Sequence, residues 1–521
     1  MRKTSKIFVS IFLLVFITTI VCAAMPGDLN SDGLIDSRDY MLMTQHILGQ
    51  IEVPLELADL NGDGLINSLD ASLLGQYILT IIDEFPIDKE DPIPEDPPPG
   101  ALFASVDQSV RHQNIEGFGA SIAWYNNWLP PHPNKEDIYD LIFAELGINI
   151  LRLNNWYSVY EGSEEFDPDT QEIVEAANES LGEPITIFMS SWSPPDYLKS
   201  NNDVAGGTLK RENGQFVYDQ FANFWYDSLR AYEEVGIVPK YISIQNEPDI
   251  ATSYESCLFD PHEGTNASYA RALDAVYNRL HSSMQNPPLI VGPEVLGIGY
   301  NNLQNYTNTM DLNQIDALGF HLYHGGDENN PDTFNQELAR ISNEFDDFLK
   351  YQTEYYRGSP FNTAWIMHNT LTVGNVNMYL FWDLIWGTYD DNALVVLEHS
   401  WEEEPWETEE GYIVTDHYYA FKHFSAYIDE NYTRIDASVE SNDIKISAYI
   451  CPDDSSITVV LLNTSYNSEI VALDLNDFNY RNSDVYRTYG DDEKTAYIGS
   501  LGAGYSVEMP GRSIATVVIN R

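Results

Sequence analysis

The sequence predicts an α/β protein: a (β/α)8 TIM barrel with an attached side β-sandwich domain, preceded by a small α-helical calcium-binding module. Three observations carry this. Eight short apolar runs between Ile115 and Trp382 alternate with helical stretches. The last hundred residues turn to β-branched, alternating patterns. Near the N-terminus an acidic, glycine-containing loop occurs twice, at a spacing of 31 residues.

The 521 residues suffice for two or three folded units. Against 81 Asp and Glu stand 26 Lys and Arg, a net charge of −55 that argues against nucleic acid or an anionic membrane surface as partner. Hydrophobic residues at 43% and aromatics at 13% exclude global disorder. The 34 tyrosines and 10 tryptophans suit flat apolar sugar faces, although large cores also use them. Three cysteines, Cys22, Cys257 and Cys451, rule out a disulfide scaffold and leave open whether the last two pair.

In chain order, Arg2, Lys3 and Lys6 precede an apolar run from Ile7 to Val21 that ends in Ala23 and Ala24. Residues 1–24 read as a secretory signal peptide, too short for a membrane span. Residues 25–82 hold the duplication. Asp28, Asn30, Asp32, Asp36 and Asp39 in the first loop match Asp59, Asn61, Asp63, Asn67 and Asp70 in the second. Oxygen side chains at loop positions 1, 3, 5, 9 and 12, with glycine at 6, follow the ligand order of an EF-hand loop, so two structural Ca²⁺ ions are expected. Each loop leads into an amphipathic helical stretch, Tyr40–Leu48 and Ala71–Ile82. Residues 83–100 carry six prolines and seven acids against one lysine, an extended spacer.

Residues 101–420 form the expected barrel. Its strands are Ile115–Ala120, Ile148–Leu153, Ile185–Ser190, Tyr241–Gln245, Leu289–Val291, Ala317–Leu322, Tyr351–Glu354 and Asn377–Trp382, with helices such as Tyr218–Glu234 and Asn266–Met284 between them. A doubly wound open sheet is the competing arrangement. Residues 421–521 form the side domain, with strands Ile444–Ile450, Ile457–Asn463 and Ser513–Ile519, and Leu102–Val106 as an added edge strand.

Catalytic groups of a barrel sit where strands end. Glu247, in Asn246-Glu247-Pro248, and Glu354, in Thr353-Glu354-Tyr355, both do so. Glycoside hydrolysis needs two such carboxyls. Among 81 acids, two strand-end carboxylates also arise by chance, and the residues alone leave that choice open. His321 has no metal-ligand set around it in sequence and reads as a hydrogen-bonded histidine.

The duplicated loops, each with only its following helix, resemble the type I dockerin module of cellulosomal enzymes. That implies docking onto a cohesin domain of a scaffold protein and a secreted, cellulosome-bound enzyme. Ser37-Arg38 and Ser68-Leu69 differ between the halves where cohesin choice is set. The rest of the chain is similar to glycoside hydrolase family 30, particularly its bacterial xylanase branch. The resemblance rests on Glu116-Gly117-Phe118-Gly119, Ile150-Leu151-Arg152, Ser191-Trp192-Ser193-Pro194-Pro195, Asn246-Glu247-Pro248, His321-Leu322-Tyr323, Thr353-Glu354, His423-Phe424-Ser425 and Arg434-Ile435-Asp436-Ala437. It implies a retaining β-1,4-xylanase with Glu247 as acid/base and Glu354 as nucleophile, needing no cofactor for catalysis. It further implies Asn246 on the sugar 2-hydroxyl, Tyr323 positioning Glu354, Trp192 and Trp382 as subsite walls and Arg152 beside the nucleophile. Other branches of the family act on β-1,6-glycans or glucosylceramide.

Two departures shape the substrate expectation. Glucuronoxylan-specific members carry an arginine shortly after the eighth-strand tryptophan. Here Asp383-Leu384-Ile385-Trp386-Gly387-Thr388-Tyr389 follows Trp382, and no arginine occurs before Arg434. Glucuronate-independent cleavage is expected, reinforced by the acidic Glu402-Glu403-Glu404 stretch. Three rim loops, Tyr157–Thr170, Ile250–Thr265 and Asp390–Tyr412, look longer than in endo-acting relatives, which suggests exo-type release of xylobiose by a monomeric catalytic domain.

Overall fold

The computed structural model describes residues 25–30, 34–61, 65–79, 85, 96–159, 168–387, 393–398, 408–476, 478 and 480–521. The signal peptide, Asp32, Asp63, most of the spacer, the Glu402-Glu403-Glu404 stretch and large parts of the Tyr157–Thr170 and Asp390–Tyr412 loops lie outside these residues. The chain divides into two compact units, 1–91 and 92–521. Among the described residues no helix is long and apolar enough to cross a membrane.

In the first unit, helices Ser37–Ile47 and Ser68–Ile78 follow the two loops. Asp36 and Asn67 cap them, and Asp39 and Asp70 complete a capping box on each. Met43, Leu60 and Leu74 are fully buried between the halves. The core takes in a residue three positions beyond the expected end at 82. Phe85, expected in the spacer, is buried and stacks on Tyr77 with ring centroids 4.6 Å apart. An aromatic ring gains more from that burial than its acidic, proline-rich neighbours gain from extension.

The second unit holds a closed barrel of eight strands. In chain order they are Gly117–Ser121, Ile150–Asn154, Thr186–Ser190, Tyr241–Ser243, Leu289–Val295, Ala317–His321, Leu349–Glu354 and Met378–Phe381. All eight expected runs are present, so the open sheet is excluded. Ile150, Phe188, Tyr241, Val291, Ala317, Tyr351, Met378 and Leu380 fill the barrel interior. The helix Tyr218–Glu234 spans the residues expected of it, turning Phe221, Trp225 and Leu229 inward.

Nine strands make the side sheet, which takes in Leu102–Asn114 from the N-terminal edge of the unit. That strand is not an edge. It pairs antiparallel with Thr433–Val439 and parallel with Glu469–Asp474, so both its flanks are covered. Strand alternation divides this sheet between two cores. Ile457, Val459 and Leu461 join the side-domain cluster, whereas Val460 and Leu462 join the barrel cluster. The barrel and side sheet therefore share apolar contacts along one face. Cys257 and Cys451 are both buried free thiols and do not pair.

Candidate active site

Each site residue sits at the C-terminal mouth of the barrel. Arg152, in the second strand, is fully buried. Its Nη1 donates to Glu354 Oε2 at 2.8 Å, and its Nη2 donates to Asn246 Oδ1 at 2.7 Å and to Glu294 Oε1 at 3.0 Å. Its Nε reaches Ser190 Oγ at 3.3 Å. The guanidinium also lies over the Trp192 ring, 4.5 Å from its centroid. Arg152 thus holds Glu354 and Asn246 from behind and does not line the cleft. The expected place beside Glu354 is where it lies, but a direct sugar contact is not.

The fourth strand ends at Ser243, two residues earlier than the sequence suggests, because Glu247 adopts a left-handed backbone with φ 46. Its backbone N–H donates to the Glu294 carbonyl at 3.0 Å. Glu354, at the end of the seventh strand, accepts from Tyr323 OH at 3.1 Å on the oxygen that Arg152 leaves free. One oxygen of Glu247, one of Glu354 and a ring nitrogen of His321 all lie within 4.8 Å of one another.

His321 is hydrogen-bonded, as expected, with Nδ1 2.9 Å from Glu247 Oε1. Burial alone would discharge it, but the Glu354, Glu247 and Glu294 carboxylates outweigh this and push it up to about 10. Glu294, which the sequence reading missed, is fully buried with φ 57. Burial works against its charge, yet Arg152 and His321 hold the carboxyl down at about 2. Burial and the like charge of Glu247 push Glu354 upward, opposed by His321 and Arg152. Two cations, Arg152 and His321, therefore face three carboxyls.

Above this cluster opens a cleft of about 660 Å³, lined by Glu247, Glu354, Trp192, Tyr323 and Trp382 among others. Asn246, 3% exposed, is held just behind it. Trp124, also missed, is the hub of the aromatic wall. Its ring lies 5.1 Å from Trp192 and 5.4 Å from Trp382. A second cluster, Tyr125 against Trp128 and Trp386, continues that wall. Of the expected rim loops, Ile250–Thr265 lends Ile250 and Tyr254 to the cleft. Within Asp390–Tyr412, Val395–Leu397 pairs with Ile385–Gly387 and with Tyr412–Val414 to make a small sheet, so part of that loop is regular structure.

The loop after Trp382 holds no arginine, as the sequence shows, but another loop supplies a cation to the cleft. Arg357, from the seventh-strand loop, lines the same cleft, its guanidinium 5.1 Å from the Tyr323 ring centroid. No sequence spacing relates it to Trp382; barrel closure brings the two loops together.

In the first unit, Asp39 and Asp70 are fully buried, and Asp28 and Asp59 nearly so. Asp39 accepts from the Asn30 and Asp36 amides, and Asp70 from those of Leu60 and Asn67. Each loop is thus wrapped around the carboxylate at its twelfth position. Buried oxygens repeated at equivalent places fit a hard cation such as Ca²⁺. Asp36 and Asn67 cap the Arg38 and Leu69 amides, so the ninth position turns to the helix, consistent with ligation through water there.

A pair of facing carboxyls in an aromatic cleft at a barrel mouth, with a side sheet packed on the barrel, defines a glycoside hydrolase. Comparison with known proteins makes this specific. The glycosyl hydrolase family 30 TIM-barrel domain matches residues 165–268 and the family's beta sandwich domain matches 433–517. The dockerin type I domain matches 26–79. The chain thus carries glycosyl hydrolase family 30 barrel and beta sandwich domains and an N-terminal type I dockerin, a module that in general binds calcium and marks a cohesin-binding, cellulosomal enzyme.

Among relatives, glucuronoxylanase XynC of Bacillus subtilis (strain 168) is 23% identical over 455 residues, spanning 81% of this chain and 92% of its own. Putative glucosylceramidase 1 of Caenorhabditis elegans is 22% identical over 425 residues, or 70% and 76% of the two chains. The crystal structure of the subfamily 8 xylanase Xyn30A from Clostridium acetobutylicum superposes with a TM-score of 0.62 at 22% identity, covering 80% of this chain and 99% of that one. The endo-beta1,6-glucanase BT3312 does so with a TM-score of 0.63 at 15% identity, covering 82% and 96%. At such identities the superpositions establish the fold alone.

Proposed function

We propose that this chain is a retaining β-1,4-xylanase, with Glu354 as nucleophile and Glu247 as acid/base. The observation that carries the reading is the approach of the two carboxyls, with oxygens within 4.8 Å. Retaining glycosidases hold theirs about 5–5.5 Å apart, whereas inverting enzymes leave about 6.5–9.5 Å for a water. Glu354 attacks the anomeric carbon while Glu247 gives its proton to the departing oxygen. Glu247 then takes a proton from the water that releases the sugar from Glu354. Two donors, Arg152 Nη1 and Tyr323 OH, hold the two oxygens of Glu354 in place for attack. With its Oδ1 tied to Arg152, Asn246 keeps its amide N–H groups for the sugar 2-hydroxyl.

Xylan is favoured because the Bacillus subtilis relative is a glucuronoxylanase and because Trp192 and Trp382 give flat walls to an unbranched pentose. The continuous aromatic wall from Trp124 to Trp386 supports a short glycone and exo-type release of xylobiose, without need of glucuronate. Two Ca²⁺ ions in the dockerin and cohesin docking of a secreted, monomeric enzyme complete the reading. Arg357 favours a second one, an endo-acting enzyme that uses this cation to grip an acidic branch.

Products from glucuronoxylan, linear xylan and end-labelled xylohexaose separate the two. Xylobiose from the earliest time on all three supports the first reading. An early ladder of long oligomers overturns the exo assignment, and branched products from glucuronoxylan alone support the second. Glu354→Gln is expected to abolish turnover.

A further inference from the structure

Beside the cleft lies a second concavity of about 550 Å³, lined by Gly299, Tyr300, Asn301, His324 and Glu337 among others. His324 borders both, so the two are neighbours at the barrel mouth. Tyr300 is 88% exposed, more than almost any other large hydrophobic residue in the described chain. Leaving an aromatic ring in water forgoes burial that its size would reward. The backbone here is also strained. Tyr300, Asn301 and His324 all adopt left-handed conformations, with φ of 59, 57 and 59. For Tyr300 and His324 this region is sterically unfavourable, and an outlier held by its surroundings points to function.

The surroundings do hold it. Arg340 Nη1 donates to Asn301 Oδ1 at 2.7 Å, and Arg340 Nε donates to Glu337 at 2.9 Å. The fifth- and sixth-strand loops touch so closely that a Cβ on Gly299 would lie 2.0 Å from the His324 carbonyl oxygen. Tyr300 is therefore an exposed ring carried on a braced turn.

Its place on the barrel gives its direction. Trp124, Trp192 and Trp382 follow the first, third and eighth strands and enclose the Arg152–Glu354 side. Tyr300 and His324 follow the fifth and sixth strands, on the opposite half. Glu247 is tied to the fifth strand through the Glu294 carbonyl. A sugar that leaves with the proton of Glu247 therefore heads over the Tyr300 turn.

We propose that Tyr300 is a stacking platform for the leaving-group side of the polysaccharide, binding a neutral β-linked chain one or more residues beyond the cleaved bond. This rests on the glycosidase reading given above. The ring takes a flat sugar face, and Glu337 and Asn301 lie within the same concavity to meet its hydroxyls.

The test uses the full chain on linear xylan and on an aryl β-xylobioside, which is too short to reach the concavity. Tyr300→Gly removes the ring and fits the left-handed backbone, so the fold loses no support; Tyr300→Phe keeps the ring. The expected result is a fall of about tenfold in the ratio of kcat/KM on polymer to kcat/KM on aryl glycoside for Tyr300→Gly, through KM, with the ratio retained in Tyr300→Phe. An unchanged ratio in Tyr300→Gly, or an equal loss on both substrates, overturns the platform. Failure of the wild-type chain on both substrates would instead refute the xylanase reading itself.

Discussion

Replacing Arg152 by methionine removes the charge at the centre of the site while keeping an unbranched apolar stem. Four hydrogen bonds go with it, to Glu354, Asn246, Glu294 and Ser190. Two of the partners are carboxylates with 0% and 7% exposed side chains, so solvent screens little of the loss. Removing one member of a buried ion pair typically costs about 3–5 kcal/mol, because the other charge stays buried. In activity, Glu354 loses a charge-assisted hydrogen bond worth about 1.5–3 kcal/mol. At about 1.36 kcal/mol per tenfold, kcat should fall roughly 10- to 150-fold. Urea denaturation of the second unit measures the first figure and steady-state kinetics on an aryl xylobioside the second. A variant within about 1 kcal/mol of wild type, with unchanged kcat, would refute the claim that Arg152 balances the buried carboxylates.

Other outcomes are expected. His321 has its folded-state pKa raised from 6.5 to about 10, so its stabilisation is complete below pH about 6.5 and is lost as pH rises through 10. Glu294 is lowered from 4.5 to about 2, so its contribution is present above pH about 4.5 and is lost as pH falls through 2. The urea midpoint should decline at both ends, and His321→Asn should flatten the alkaline decline. Trp124→Ala removes the hub of the aromatic wall, and a buried aromatic contact of about 1.5–3 kcal/mol corresponds to a roughly 10- to 100-fold loss of kcat/KM on xylooligosaccharides. Calcium chelation should expose residues 25–79 to proteolysis and reduce their helical circular dichroism, while turnover of a soluble substrate persists; resistance of that segment in chelator would count against calcium in the loops.

Periodic burial and the barrel were legible in the sequence, and the meeting of distant loops at its mouth was not. The helix Tyr218–Glu234 and the strand Ile444–Ile450 announce themselves because the helix buries residues at a period near 3.6, and in the strand Ile444, Ile446, Ala448 and Ile450 alternate to face the side-domain core. Only the first five residues of Leu102–Asn114 read as a strand, since its second half is polar and half-exposed and is held by pairing with Thr433–Val439. Glu247 and Glu354 stood out through strand ends and through the family resemblance. Glu294 did not, because Pro293 reads as a terminator while the strand runs through to Val295. A charged residue directly behind the apolar Ile290-Val291 run was the available signal. Trp124 and Arg357 join the site only because eight strands close on themselves, a relation between distant loops that no local spacing encodes.

The central claim is double displacement through Glu354 with Glu247 as acid and base. The anomeric configuration of the first sugar released from an aryl β-xylobioside, followed by proton NMR within the first minutes, tests it most directly. The close carboxyl pair predicts that the β-anomer appears first and mutarotates afterwards. Initial appearance of the α-anomer would mean that a water, not Glu354, attacks the sugar, and the assignment of the two glutamates would fall.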